Sequence, residues 1–175
     1  MLLKSYRKEI FRPACNPGFE SLHCIAHLEQ DVSAALPYLN AALGGFEYLK
    51  EPPAVIFRAH GKLIAVHGCK IAVNALQDEA EADKILEWMK REINSAWENR
   101  ESITPSCEGQ PRPNVLDILR LLPKTNCRDC GEPTCMVFAV RLAEGAKGLE
   151  RCPAVDSMNR KRLQYYLSQF KLEVL

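Results

Sequence analysis

No stretch of this 175-residue chain is both long and free of charge. The opening run Met1-Leu2-Leu3-Lys4-Ser5-Tyr6-Arg7-Lys8-Glu9 is broken by charge before it can form the apolar centre of a secretory signal. Nor does the chain hold the roughly 20 consecutive apolar residues of a membrane-spanning helix. No membrane insertion is expected, and a reducing cytoplasm is the default compartment. Net charge is nearly absent as well: 23 Lys and Arg against 22 Asp and Glu leave +1, so no global field draws the chain to nucleic acid or anionic lipid. No serine or acidic pair sits in a catalytic motif, and no catalytic turnover is expected from this chain alone. What remains is an ordinary globular composition, 47% hydrophobic and 26% charged, with length for one medium domain or two small ones.

Cysteine, by contrast, is plentiful and unevenly spread. Three thiols fall within nine residues of Asn126-Cys127-Arg128-Asp129-Cys130-Gly131-Glu132-Pro133-Thr134-Cys135, and a fourth follows in Cys152-Pro153. Two cysteines separated by two residues can place both sulfurs on one metal centre, because Gly131 just beyond them lets the backbone wrap closely. In a reducing compartment such clustering signals metal rather than disulfides. A structural zinc site shows two short knuckles facing each other. Here there is one pair, one close third ligand and one remote fourth followed by proline, which favours an iron-sulfur cubane, with zinc as the alternative.

These residues also carry a resemblance. The run Leu122-Pro123-Lys124-Thr125-Asn126-Cys127 through Cys135, then Phe138-Ala139 and Cys152-Pro153, resembles the four-cysteine iron-sulfur domain of the B subunit of the Rnf electron-transport complex. It is similar also to the N-terminal module of the large subunit of the corrinoid iron-sulfur protein. The resemblance covers the last third of the chain and implies one [4Fe-4S] cluster held by Cys127, Cys130, Cys135 and Cys152. It carries over no function of the whole protein; because four cysteine ligands would leave no open iron site for substrate chemistry, an electron-transfer or redox accessory role in anaerobic metabolism, with a redox partner protein, is the expectation. A regulatory or binding module with a structural or redox-sensing cluster is the alternative, and a structural zinc protein the third reading.

The other segments are read from pattern alone. Residues 1–20, punctuated by Pro13 and Pro17-Gly18, are expected to form an arm across the first domain. Leu22, Cys24, Ala26 and Leu28 alternate with His23, Ile25, His27 and Glu29 as a strand with one apolar face. A helix capped by Asp31 or Ser33 carries Leu36, Leu39, Ala42 and Leu43, tolerates Pro37 in its first turn and ends at Gly44-Gly45. Strands over 54–59, 62–67 and 71–76 form an antiparallel meander, with a tight turn at His60-Gly61. Asp78, with Glu81 three residues on, then caps the strongest helix, whose stripe is Ala82, Ile85, Leu86, Met89, Ile93, Ala96 and Trp97. The order resembles, in topology only, one half of the TATA-binding-protein fold, and no nucleic-acid function is implied.

The fold class expected is therefore α+β: an antiparallel sheet with packed helices over 1–100, a Pro-rich linker over 101–113, and a small helical iron-sulfur domain over 114–175. In that last domain Asn114, Thr134, and Asp156 or Ser157 are the expected helix caps, and Leu116, Leu119 and Leu122 the expected apolar face of the first helix. Of the other cysteines, Cys24 reads as core packing, Cys107 as the exposed one, and Cys15 and Cys69 share no ligand spacing with them. His23 and His27 share a strand face but read as surface residues. From Arg120 to Arg162 nine basic residues outnumber five acidic ones, an excess that would partly offset a four-thiolate cluster and suit an acidic redox partner.

Overall fold

The computed structural model describes residues 1–12, 21–59 and 62–170. Pro13, Cys15, Pro17-Gly18 and the His60-Gly61 turn lie outside the described residues. The chain divides into two compact units, one over Met1–Gly109 and one beginning at Gln110.

The first unit is α+β. Its strands are β1 (Tyr6–Phe11), β2 (Leu22–Leu28), β3 (Glu47–Leu49), β4 (Ala54–Ala59), β5 (Lys62–His67) and β6 (Lys70–Leu76), and its helices are α1 (Leu36–Leu43) and α2 (Glu79–Glu98). The six strands form one sheet in the order β1-β2-β6-β5-β4-β3, and every pairing is antiparallel. Cys24, Ala26 and Leu28 of β2 are buried, as are Ile64 and Val66 of β5 and Ile71 and Val73 of β6, so one sheet face turns inward. Against it lie Leu36 and Leu39 of α1 and the stripe Ala82, Leu86, Met89, Ile93 and Ala96 of α2, all in one apolar core.

The ends of these helices follow from local chemistry. The Asp78 carboxylate accepts from the Glu81 N–H at 2.7 Å, which satisfies a donor that the first turn leaves orphaned, while the Glu81 carboxylate reaches back to the Gln77 N–H, just before the cap, at 2.8 Å. Helix α1 stops where Gly44 adopts φ 74°, a left-handed conformation that costs little without a Cβ. Its start differs from expectation: Ala35 occupies the cap position without a side-chain bond, because a 3-10 turn at Ser33–Ala35 intervenes and Asp31 accepts from Ser33 instead.

Where an arm was expected, Tyr6–Phe11 is an edge strand paired with β2 from Tyr6↔Leu28 to Phe11↔His23. Its half-buried face is Tyr6, Lys8 and Ile10. Lys8 is admitted there because its ammonium meets Glu79 at 2.8 Å and also Asp83 on α2. Leu2 and Leu3 donate their N–H groups to Asn94 Oδ1 at 2.7 and 2.8 Å, which ties the residues before β1 to the same helix. Beyond α2, Asn40 Nδ2 donates to the carbonyls of Ser106 and Glu108 at 2.8 and 2.9 Å, so residues as far as Glu108 are bonded into this unit.

The second unit is helical: α3 (Val115–Leu121), α4 (Cys135–Ala143) and α5 (Ser157–Ser168), with a 3-10 turn at Leu149–Arg151. Each helix opens on the side chain expected, Asn114 accepting from Leu116 N–H, Thr134 from Val137 N–H, and Asp156 from Met158 and Asn159 N–H. The buried face of α3 differs from expectation at Leu116, while Leu119 packs against the core as expected. Leu116 is 54% exposed, and Ile118 and Leu122, one turn apart, enter the core with Phe138, Leu142, Leu149 and Leu163.

Candidate metal centre

The four cysteines singled out by spacing arrive from three pieces of backbone. Cys127 and Cys130 lie on the loop between α3 and α4, Cys135 is the first residue of α4, and Cys152 follows the 3-10 turn before α5. All four line one pocket, together with Asn126, Arg128, Glu132, Phe138 and Ala154. Cys127 is exposed, Cys130 half-buried, and Cys135 and Cys152 buried. Cys135 is buried because its own helix carries Phe138 and Ala139 into the core on the next turn. Burial pushes the Cys152 thiol above its ordinary range, a rise that backbone N–H groups at Ala154 and Val155 partly oppose.

The loop that presents Cys127 is conformationally costly. Lys124, Asn126 and Arg128 have φ of 59°, 51° and 68°, and Gly131 has φ 80°. Left-handed backbone costs a non-glycine residue roughly 1–2 kcal/mol, and such strain persists only where surrounding contacts enforce it. Asparagine tolerates this region better than most residues, and Asn126 also uses its side chain: Oδ1 accepts from the Cys135 N–H at 2.8 Å, joining the loop to the first turn of α4.

Two cations fasten the other ligand segments. Lys147 Nζ donates to the Cys130 carbonyl at 3.2 Å and pairs with Glu132 at 2.6 Å. Arg160 spreads its guanidinium over the carbonyls of Leu149 and Cys152, at 3.2 and 2.7 Å. Sequence reasoning counted Lys147 and Arg160 only as members of a basic excess and passed over Asn126. The single available signal was an asparagine beside the first cysteine, a residue type that tolerates left-handed backbone. Beside this pocket lies an open groove of about 860 Å³, walled by Asp129, Cys130, Gly131, Lys147, Gly148, Glu150 and Arg151, and Cys130 is the one thiol that borders both.

The remaining thiols and imidazoles stand apart. Cys24 is buried in the first core, as expected. Cys107 is exposed, and so is Cys69, which had not been singled out: it sits in the β5–β6 turn. His27 faces solvent 3.5 Å from Glu9, and the His23 ring packs beside Phe11. Although the four thiols share a pocket wall, no group of three or more His, Cys, Asp or Glu side chains is gathered among the described residues so as to hold a single metal ion. No helix among the described residues is long and apolar enough to cross a membrane.

Comparison with known proteins concerns this unit alone. The family model described as "Putative Fe-S cluster" matches residues 122–154. The acetyl-CoA decarbonylase/synthase complex subunit gamma of Methanocaldococcus jannaschii is 41% identical over 54 residues, 29% of this chain and 11% of that protein. The corrinoid/iron-sulfur protein large subunit of Moorella thermoacetica is 48% identical over 48 residues, 27% of this chain and 11% of that protein. The gamma subunit of Methanothermobacter thermautotrophicus is 41% identical over 60 residues, 34% of this chain and 13% of that protein. The chain thus spans 11 to 13% of the length of these relatives. No solved structure matches it. With four cysteines around one pocket inside the matched segment, residues 122–154 carry the iron-sulfur cluster family's motif, a membership of that segment and not of the whole chain.

Proposed function

We propose that this protein is an electron carrier or redox accessory protein that holds one [4Fe-4S] cluster on Cys127, Cys130, Cys135 and Cys152. The observation that carries the proposal is the common pocket: three separate backbone segments bring four thiols to one wall within the segment that matches the iron-sulfur family. Four soft donors around one space suit a group whose iron corners each take one thiolate. When bound, such a cluster supplies reversible one-electron exchange.

The residues of the chain account for the rest. Buried Cys135 and Cys152 anchor the inner side of the site among Phe138, Leu149 and Leu163 and keep water from it. Exposed Cys127 and half-buried Cys130 leave the outer side within reach of a partner protein, with Arg128 exposed on the same loop. The nine-to-five basic excess between Arg120 and Arg162 favours an acidic donor or acceptor. Two relatives are, by name, subunits of a complex, which supports a protein partner for this chain; anaerobic metabolism and a cytoplasmic compartment are part of the proposal. The role of the first unit, on this reading, is to dock that partner.

The test is reduction of anaerobically prepared protein by a low-potential donor. A one-electron paramagnetic signal should appear, the oxidised state should return without loss of iron, and the rate should fall as salt rises. The burial of Cys135 and Cys152 favours a second reading, a structural or sensing cluster. Failure of strong donors to reduce the centre, or loss of iron on the first cycle, would select that second reading.

A further inference from the structure

We infer that Lys147 is a positioning residue that sets the electrical poise of the centre, opposed by Glu132; the inference rests on the reading that the four thiols hold an iron-sulfur cluster. Lys147 comes from the loop after α4, seventeen residues beyond Cys130 in sequence. Its Nζ lies 3.2 Å from the Cys130 carbonyl and 2.6 Å from Glu132 Oε1. It also passes Gly131 at van der Waals distance, 3.5 Å from where a Cβ would stand, at a φ of 80° that disfavours any side chain. The Glu132 side chain is only 12% exposed and that of Lys147 30%, so water screens this pair less than one on the open surface.

An added electron makes the centre more negative. A fixed cation bonded to a ligand residue stabilises the reduced state, and a fixed carboxylate beside the same ligand opposes it, which is how hydrogen bonds and local charge tune such centres. In the intact pair the two effects offset. Were the pair only a strut between two loops, cutting it from either end would have the same consequence. Acting by charge, the two ends pull in opposite directions. Arg160 holds Cys152 in a similar way, but none of its described contacts is a carboxylate, so only the Lys147 side offers this internal control.

The experiment is an anaerobic redox titration of the full chain, followed by the visible absorption of the cluster, on the wild type and the variants Lys147→Met, Lys147→Arg, Glu132→Gln and Lys147→Met/Glu132→Gln. Lys147→Met should lower the midpoint potential and Glu132→Gln should raise it. Each shift should be of the order of tenfold in the reduction equilibrium, about 59 mV for one electron. Lys147→Arg and the doubly neutral variant should stay close to the wild type. Shifts of the same sign in the two single variants, or no shift in either, overturn the inference. Where a single variant loses iron, the double variant decides: a potential near the wild type supports the charge role, and a displacement as large as that of the remaining single variant overturns it. Wild-type protein without iron and sulfide would instead refute the cluster reading itself, so the two failures are distinct.

Discussion

The two units solve the problem of a core by different means. Among the described residues, the first gathers 21 buried apolar residues between a six-stranded sheet and two helices, with one thiol, Cys24, among them. The second gathers 11 described ones, of which Cys135 and Cys152 are two, so a good part of its interior is the wall of the candidate site. Units of about 60 residues bury too little surface to be robust on packing alone, and small ones commonly add a metal or disulfides. The difference teaches that residues of the candidate site double as core in the second unit, whereas the core of the first is free of them. Both tryptophans, Trp88 and Trp97, lie on α2, so their fluorescence reports the first unit, while iron-linked absorption would report the second.

That contrast can be broken most sharply at Cys130. Cys130→Ser should abolish cluster binding and unfold the second unit, while the tryptophan transition of the first is unchanged; joint loss of both signals would show that the units are not separable. Core truncations come next. Phe138→Ala should cost about 3–5 kcal/mol and release iron, whereas Leu86→Ala should cost about 2–5 kcal/mol in the tryptophan transition and leave the iron content as it is. Removal of the α2 cap by Asp78→Ala should lower the stability of the first unit by about 1 kcal/mol in urea titrations, without effect on iron.

Acidification gives a smaller effect with a defined sign. Burial works against the Glu81 carboxylate, but the Gln77 N–H and the Lys62 ammonium outweigh it and hold the group below the ordinary carboxylate range. Because the folded value is depressed, its contribution is complete above the unfolded value near pH 4 and is lost as pH falls through the folded one. Urea midpoints read by tryptophan should therefore drop below about pH 4, and Glu81→Gln should flatten that drop. The smallest effect is expected at the exposed Arg120–Asp117 pair, where Asp117→Asn should change the second unit by less than about 1 kcal/mol.

Much of this was legible in the sequence because it is written in short-range patterns. Alternation marked β2, the Asp78/Glu81 pair and its stripe marked α2, and Asn114, Thr134 and Asp156 marked three helix starts. Strand β1 was hidden because Lys8 occupies its inner face, and what makes that tolerable lies more than 70 residues away, at Glu79 and Asp83. On α3, Leu122 and Leu119 face the core as expected, whereas Leu116 does not and Ile118 was overlooked, in a helix too short for its period to be distinctive. At the candidate site the cysteines were conspicuous by spacing. Their supports were not: Asn126, Lys147 and Arg160 reach backbone groups of Cys135, Cys130 and Cys152 across nine, seventeen and eight residues, and such side-chain-to-backbone bonds leave no periodic trace.

The central claim is that the four thiols hold a cubane, and the most direct measurement is the iron, acid-labile sulfide and zinc content of protein purified without oxygen. The account predicts brown protein with about four iron and about four sulfide per chain, both lost in Cys130→Ser. Stoichiometric zinc with no sulfide would contradict it.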